Sequence, residues 1–115
     1  MTVKEAIRKA DELRPNAITE ETKAGWLYDL EGELAEMMEV DPPENLWPEI
    51  DAVLLMPYPH DNMYYLYLMA MIDNANEETE LYANDMTVAQ EAMNESRAWW
   101  WRNNYTRKAD RIRVM

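Results

Sequence analysis

The chain has no cysteine, no phenylalanine, only two glycines (Gly25 and Gly32), one histidine and one serine among 115 residues. Without cysteine there is no disulfide framework and no thiolate metal site. Two glycines are too few for a sheet-rich fold with many tight turns, or for a glycine-rich phosphate loop. One histidine, His60, and one serine, Ser96, placed mid-helix, leave a nucleophile and base little to be built from. Long apolar runs are missing too. The longest, Met63 to Ile72, falls well short of the roughly 20 residues a membrane span needs. The opening MTVKEAIRKADELRP is amphipathic and charged, not a basic head followed by an apolar signal core. These absences describe a soluble protein of a reducing cytoplasm.

What is present is equally skewed. Ten methionines, five tryptophans and seven tyrosines take the place of phenylalanine, and 48% of residues are hydrophobic. That is enough for one domain with a modest core and too much for a disordered chain. The net charge of −12 is unevenly spread. Residues 1–14 sum to +1. Residues 15–95 hold nineteen acids and one base, Lys23, and residues 96–115 hold six bases and one acid, Asp110. An acidic body with a basic end repels free nucleic acid over most of its surface and suits head-to-tail contact between copies.

Periodicity predicts an all-α protein: a four-helix bundle over residues 1–103. Val3, Ile7, Ala10 and Leu13 mark a first helix, stopped by Pro15. Thr19 caps a second, with Glu20 and Glu21 at the positive end of its dipole. There Trp26, Leu27, Leu30, Leu34, Met37 and Met38 form the buried stripe. Asp29, Glu31, Glu33, Glu36 and Glu39 form the solvated face, and the helix ends near Val40, before Asp41-Pro42-Pro43. Residues 41–59 carry five of the six prolines and form a proline-rich loop. Residues 50–55 within it read equally as a short strand or a helical turn. The loop is either a contact arm or a surface crossing that tucks Leu46, Trp47 and Leu54 into the core.

Asp61 is placed to cap a third helix, over 61–76. Met63, Tyr64, Leu66, Tyr67, Leu68, Met69, Met71 and Ile72 point all round its axis, so it is expected at the centre, flanked by the second and fourth helices. The fourth runs over 78–103, with Tyr82, Met86, Ala89, Met93 and Trp100 on one face and Leu81, Val88, Ala92 and Trp99 beside it. From Asn104 to Met115 the chain is basic, without a core stripe, and expected to be a flexible tail.

No stretch commits to catalysis or to a cofactor. DNANEETE (73–80) begins like a calcium loop, but Ala75 stands where a ligand is required and no glycine follows. The carboxylates at 29, 33 and 36 lie on a solvated face. His60 reads as a packing or capping residue. The sharpest anomaly is WWW at 99–101. At about 100° per residue three rings sweep about 200° of arc, so Trp101 leaves the core face and joins Gln90, Asn94 and Arg97. It reads as an interface anchor, or as a ring covered by the loop or tail. The candidate interface residues are Trp101, Arg97, Arg102 and Arg107 at the basic end, with Trp47 and Tyr58 in the loop.

Three stretches together carry a family resemblance: LRPNAITEETKAGWLYDLEGELAEMM (13–38), LLMPYPHDNMYYLYLMAMIDNANEETELYAN (54–84) and AMNESRAWWWRNN (92–104). In this order they resemble small head-tail connector proteins, also called head-completion or adaptor proteins, of tailed phages and prophages of Gram-positive bacteria. The likeness covers residues 3–104. It implies a helical, non-enzymatic subunit of the virion neck, made in the host bacterial cytoplasm. Such subunits are often monomeric until they meet the portal protein, where they form a ring that extends the DNA channel and receives the next neck or tail component. DNA would pass without sequence-specific binding. No catalytic or cofactor residue carries over. Asn76-Glu77 departs from the family pattern, which often has glycine after the asparagine. The alternative class is an acidic DNA mimic that inhibits a host DNA-binding protein; the acidic block favours it and the basic end speaks against it.

Overall fold

Four helices account for the fold: α1 (Val3–Leu13), α2 (Glu20–Met38), α3 (Asn62–Ala75) and α4 (Thr79–Val114). The computed structural model describes residues 1–104 in full and the backbone of residues 105–114. The tail expected over 104–115 therefore lies, apart from Asn104, outside the fully described residues. Among the described residues there is no strand, only an isolated antiparallel bridge between Thr2 and Val53. α4 is continuous to Val114 rather than ending at Asn103.

The helix starts follow local chemistry. The Thr2 hydroxyl accepts from the Glu5 N–H at 3.1 Å and the Thr19 hydroxyl from the Thr22 N–H at 3.2 Å. Each satisfies a donor that the first turn leaves orphaned. In α1 the other orphans are met by the proline-rich loop. Val3 N–H donates to the Ala52 carbonyl at 3.1 Å and Lys4 N–H to the Ile50 carbonyl at 2.8 Å. Leu54 N–H returns a bond to the Met1 carbonyl at 2.9 Å. Residues 50–55 are thus neither of the two expected forms. A turn closed by Ala52 N–H on the Glu49 carbonyl at 3.1 Å leads into the single bridge. Asp61 occupies the cap position of α3 but makes no capping bond. Its carboxylate pairs instead with the Met1 ammonium at 3.3 Å.

Two helices end on glutamate in the left-handed region, Glu39 at φ 60° and Glu77 at φ 58°. In both, the following N–H reaches back five residues, from Val40 to the Ala35 carbonyl and from Glu78 to the Asp73 carbonyl. This is the Schellman closure that normally uses glycine. The glycines are elsewhere, both inside α2.

α3 packs against each of the other helices, most extensively α4 and then α1. The first of these neighbours was expected; the prominence of α1 was not. Met63, Tyr64, Leu68, Met69, Ala70 and Ile72 of α3 are buried, as are Val3, Ala6, Ile7 and Ala10 of α1. The loop adds Leu46, Leu54 and Met56, so it folds onto the core rather than standing off as an arm.

Several expected faces are corrected. Leu13, Leu81 and Val88 are exposed, since α1 and α4 meet neighbours over a narrower arc than the apolar spacing offers. Glu31, assigned to the solvated face, is 2% exposed. It shares the helical stripe of Leu27, Leu34 and Met38 and is held by hydrogen bonds. Its Oε1 accepts from the Tyr64 hydroxyl at 2.5 Å and its Oε2 from the Leu55 N–H at 2.8 Å. The Tyr64 oxygen in turn accepts from Met56 N–H at 2.8 Å.

Candidate interaction surface

The last buried residue of α4 among those described is Ser96. Its hydroxyl contacts the Ala92 carbonyl at 2.8 Å and the His60 carbonyl at 3.1 Å. The His60 ring stacks on Trp99 with centroids 4.5 Å apart and planes at 29°. His60 is therefore a packing residue, as its setting among prolines suggested. Beyond Ser96, α4 has no fully buried residue among those described, although Trp99 and Trp100 still pack against the core. Its 36 residues amount to about 54 Å of helix, which matches the 53 Å longest dimension of the molecule.

Trp99 faces the loop, while Trp100 and Trp101 meet edge to face with centroids 5.6 Å apart. Trp101 is 38% exposed, an unusual state for the largest apolar side chain. Arg102 is exposed beside it, and Arg97 is partly exposed. Tyr58 is 84% exposed, two residues before His60. Trp47 is half-buried and packs on the core. Arg107 lies outside the fully described residues. Of the six predicted interface residues, Arg97, Trp101 and Arg102 thus cluster on α4 and Tyr58 is surface-exposed, whereas Trp47 turns inward.

A groove runs between α2 and α4, which lie on α3 without packing directly against each other. It encloses about 290 Å³. Leu30, Tyr67, Met86 and Met93 form its apolar lining, and Asp29, Glu33, Gln90 and Arg97 its polar rim. Arg97 Nη2 lies 3.8 Å from Glu33 Oε2, an ion pair across the mouth that is too long for a hydrogen bond. Tyr67 has its phenol pushed up, first by burial and then by the charges of Asp29 and Glu33. The field of those carboxylates therefore reaches the groove floor. The sequence named Arg97 but not this groove, because its walls come from three helices far apart in the chain.

Other charged groups sit inside the fold. Lys23, 2% exposed, is held by Asp11 at 2.7 Å and the Asn16 side-chain carbonyl at 3.1 Å. Glu31 has its carboxyl raised by burial, partly offset by its bonds to Tyr64 and Leu55. Burial and then the Glu31 charge push the Tyr64 phenol up strongly. With Glu31 and Tyr64 sealed from solvent, the pair acts as an internal tie. Among the described residues no group of three or more histidine, aspartate or glutamate side chains could hold a metal ion. None of the helices, over those residues, is long and apolar enough to cross a membrane.

Comparison of the chain with family models, with curated proteins and with solved structures gives no match.

Proposed function

We propose that this protein is a non-enzymatic structural subunit, a head-tail connector of a tailed phage or prophage that docks on the portal and assembles there as a ring. The proposal starts from the resemblance over residues 3–104. The observation that carries it physically is a pair of unlike surfaces on one small body. One is the 97–102 stretch of α4, with Trp101 and Arg102 exposed beyond Ser96, the last buried residue among those described. The other is the face of α2 with Asp29, Glu33 and Glu36 exposed. A closed ring needs such a heterologous pair, because each subunit must offer one patch to each neighbour. An acidic wall also lets DNA pass without adhering, since like charge prevents close phosphate contact. Virion neck components, rather than a small molecule, are the partners on this reading.

Electron microscopy of the protein mixed with the portal protein encoded in the same gene cluster tests the reading. An added ring of density beneath the portal is expected, lost or weakened by Trp101→Ala. Portal particles unchanged at saturating protein would refute it. Tight, salt-sensitive binding to a basic DNA-binding protein, with the portal ignored, would transfer the assignment to the acidic-mimic class.

A further inference from the structure

We propose that the groove between α2 and α4 is the acceptor for the basic C-terminal end of a second copy of this chain, which lays its cationic side chains between Asp29 and Glu33. The inference rests on the ring-subunit reading, since it names the contact by which neighbours would join.

The groove is built for a long side chain with a charged tip. Its apolar lining suits aliphatic stems, and the carboxylates sit at the rim where a guanidinium or ammonium would emerge. Asp29 makes no hydrogen bond or ion pair among the described residues, and Glu33 is met only by the loose 3.8 Å approach of Arg97. The α4 wall, Met86–Gln90–Met93–Arg97, continues at the same helical spacing into Trp100 and Trp101. Along α4 the groove wall is therefore continued by the edge-to-face pair of Trp100 and Trp101.

The occupant follows from charge and geometry. Residues 102–115 hold five bases and one acid, the densest basic stretch in an otherwise acidic chain. Within the same chain, Arg97 is the base of α4 that lines the groove among the described residues, and the α4 backbone runs on from there to Val114. With a neighbour's end as the occupant, the resulting contact is head-to-tail, the type that closes rings.

The test uses the full chain with isotope-labelled methionine methyls and an unlabelled synthetic peptide of residues 102–115. At low salt the peptide is expected to shift the Met86 and Met93 methyls saturably, and to lose affinity steeply as salt screens the contact. The double variant Asp29→Asn/Glu33→Gln, altered only at exposed positions and placing no new cation beside Arg97, should bind the peptide about tenfold or more weakly while keeping a cooperative melting curve. Three outcomes overturn the proposal: no shift of Met86 or Met93 at millimolar peptide, undiminished binding by the double variant, or equal binding of a scrambled peptide of the same composition. The last would mean that the groove reads charge alone and suits any basic partner. Failure here with a ring still forming on the portal removes this contact and leaves the connector reading intact. Peptide binding without a portal ring does the reverse.

Discussion

Replacing Asp73 with asparagine should make the protein more stable at neutral pH, although it removes a salt bridge. Asp73 lies in the last turn of α3, 2% exposed. Its Oδ1 is 3.3 Å from Arg14 Nε, and its Oδ2 is buried without a hydrogen-bond partner. The same guanidinium is more tightly engaged by Asp85, whose Oδ2 takes Nη2 at 2.9 Å and Nε at 3.1 Å. One cation thus serves two carboxylates. Burial, then Asp85, push the Asp73 carboxyl up to about 6, with Arg14 only partly opposing. An unfolded aspartate titrates near 3.8. Well below that pH the carboxyl is protonated in both states and nothing is lost. Between 3.8 and about 6 the unfolded chain gives up its proton first, so stability falls as pH rises, and the loss is complete above the folded value. About two units correspond to at most about 3 kcal/mol. Since Arg14 is partly exposed, ~1–3 kcal/mol is the expected range. Asparagine keeps the acceptor for Arg14 and puts a donor where the protonated acid would have one. Thermal unfolding of both proteins from pH 3.5 to 8 measures the effect. The curves should converge at the acid end, separate between about pH 4 and 6.5 in favour of Asp73→Asn, and stay parallel above. A gap independent of pH, or a variant less stable at pH 8, would refute the reasoning.

Glu31→Ala should cost about 3 kcal/mol or more, because Leu55 N–H and the Tyr64 hydroxyl lose their acceptor and a cavity opens; a urea midpoint shift equivalent to less than about 1 kcal/mol would show the carboxylate to be dispensable. Glu77→Gly should stabilise by ~0.5–1 kcal/mol, the relief of a left-handed side chain less the greater freedom of glycine in the unfolded chain; a lower melting temperature would contradict the φ of 58°. Gly32→Ala should also stabilise, by about 0.5–1 kcal/mol. Nothing lies within 4 Å of the added methyl, and calorimetry of the variant decides it.

The helices were legible because their signals are local. Thr19, Glu20 and Glu21 announce one start, Pro15 and Asp41-Pro42-Pro43 announce stops, and the apolar ring of residues 63–72 marks the helix that every other one touches. Misjudged positions depend on contacts distant in sequence. Glu31 looks solvated beside Asp29 and Glu33, yet its spacing from Leu27 and Leu34 fits the buried stripe equally well. Only Tyr64 and the Leu55 N–H, brought to it by folding, decide between the faces. Asp61 has the type and place of a cap, but the Met1 ammonium competes for its carboxylate. The groove was invisible for the same reason: Asp29 and Arg97 read as separate surface charges until α3 sets α2 and α4 side by side.

The buried polar ties bear directly on the surface proposed to act. Glu31 grips the loop at Leu55, and Tyr64 grips it at Met56. The next four residues, Pro57 to His60, deliver His60 onto Trp99 and its carbonyl onto Ser96. The loop is thus clamped at one end by the α2–α3 interior and at the other by α4, and Tyr58 projects between the clamps. A hydrocarbon at position 31 could fill the same space, but it would leave Leu55 N–H and the Tyr64 hydroxyl without their acceptor. Burying a carboxylate is costly, and here it secures the loop. The loop thus holds the side of α4 that carries Ser96 and Trp99, while Arg97, Trp101 and Arg102 remain partly or fully exposed on the helix. Holding the loop in this way would lower the entropy lost on binding at the proposed contact.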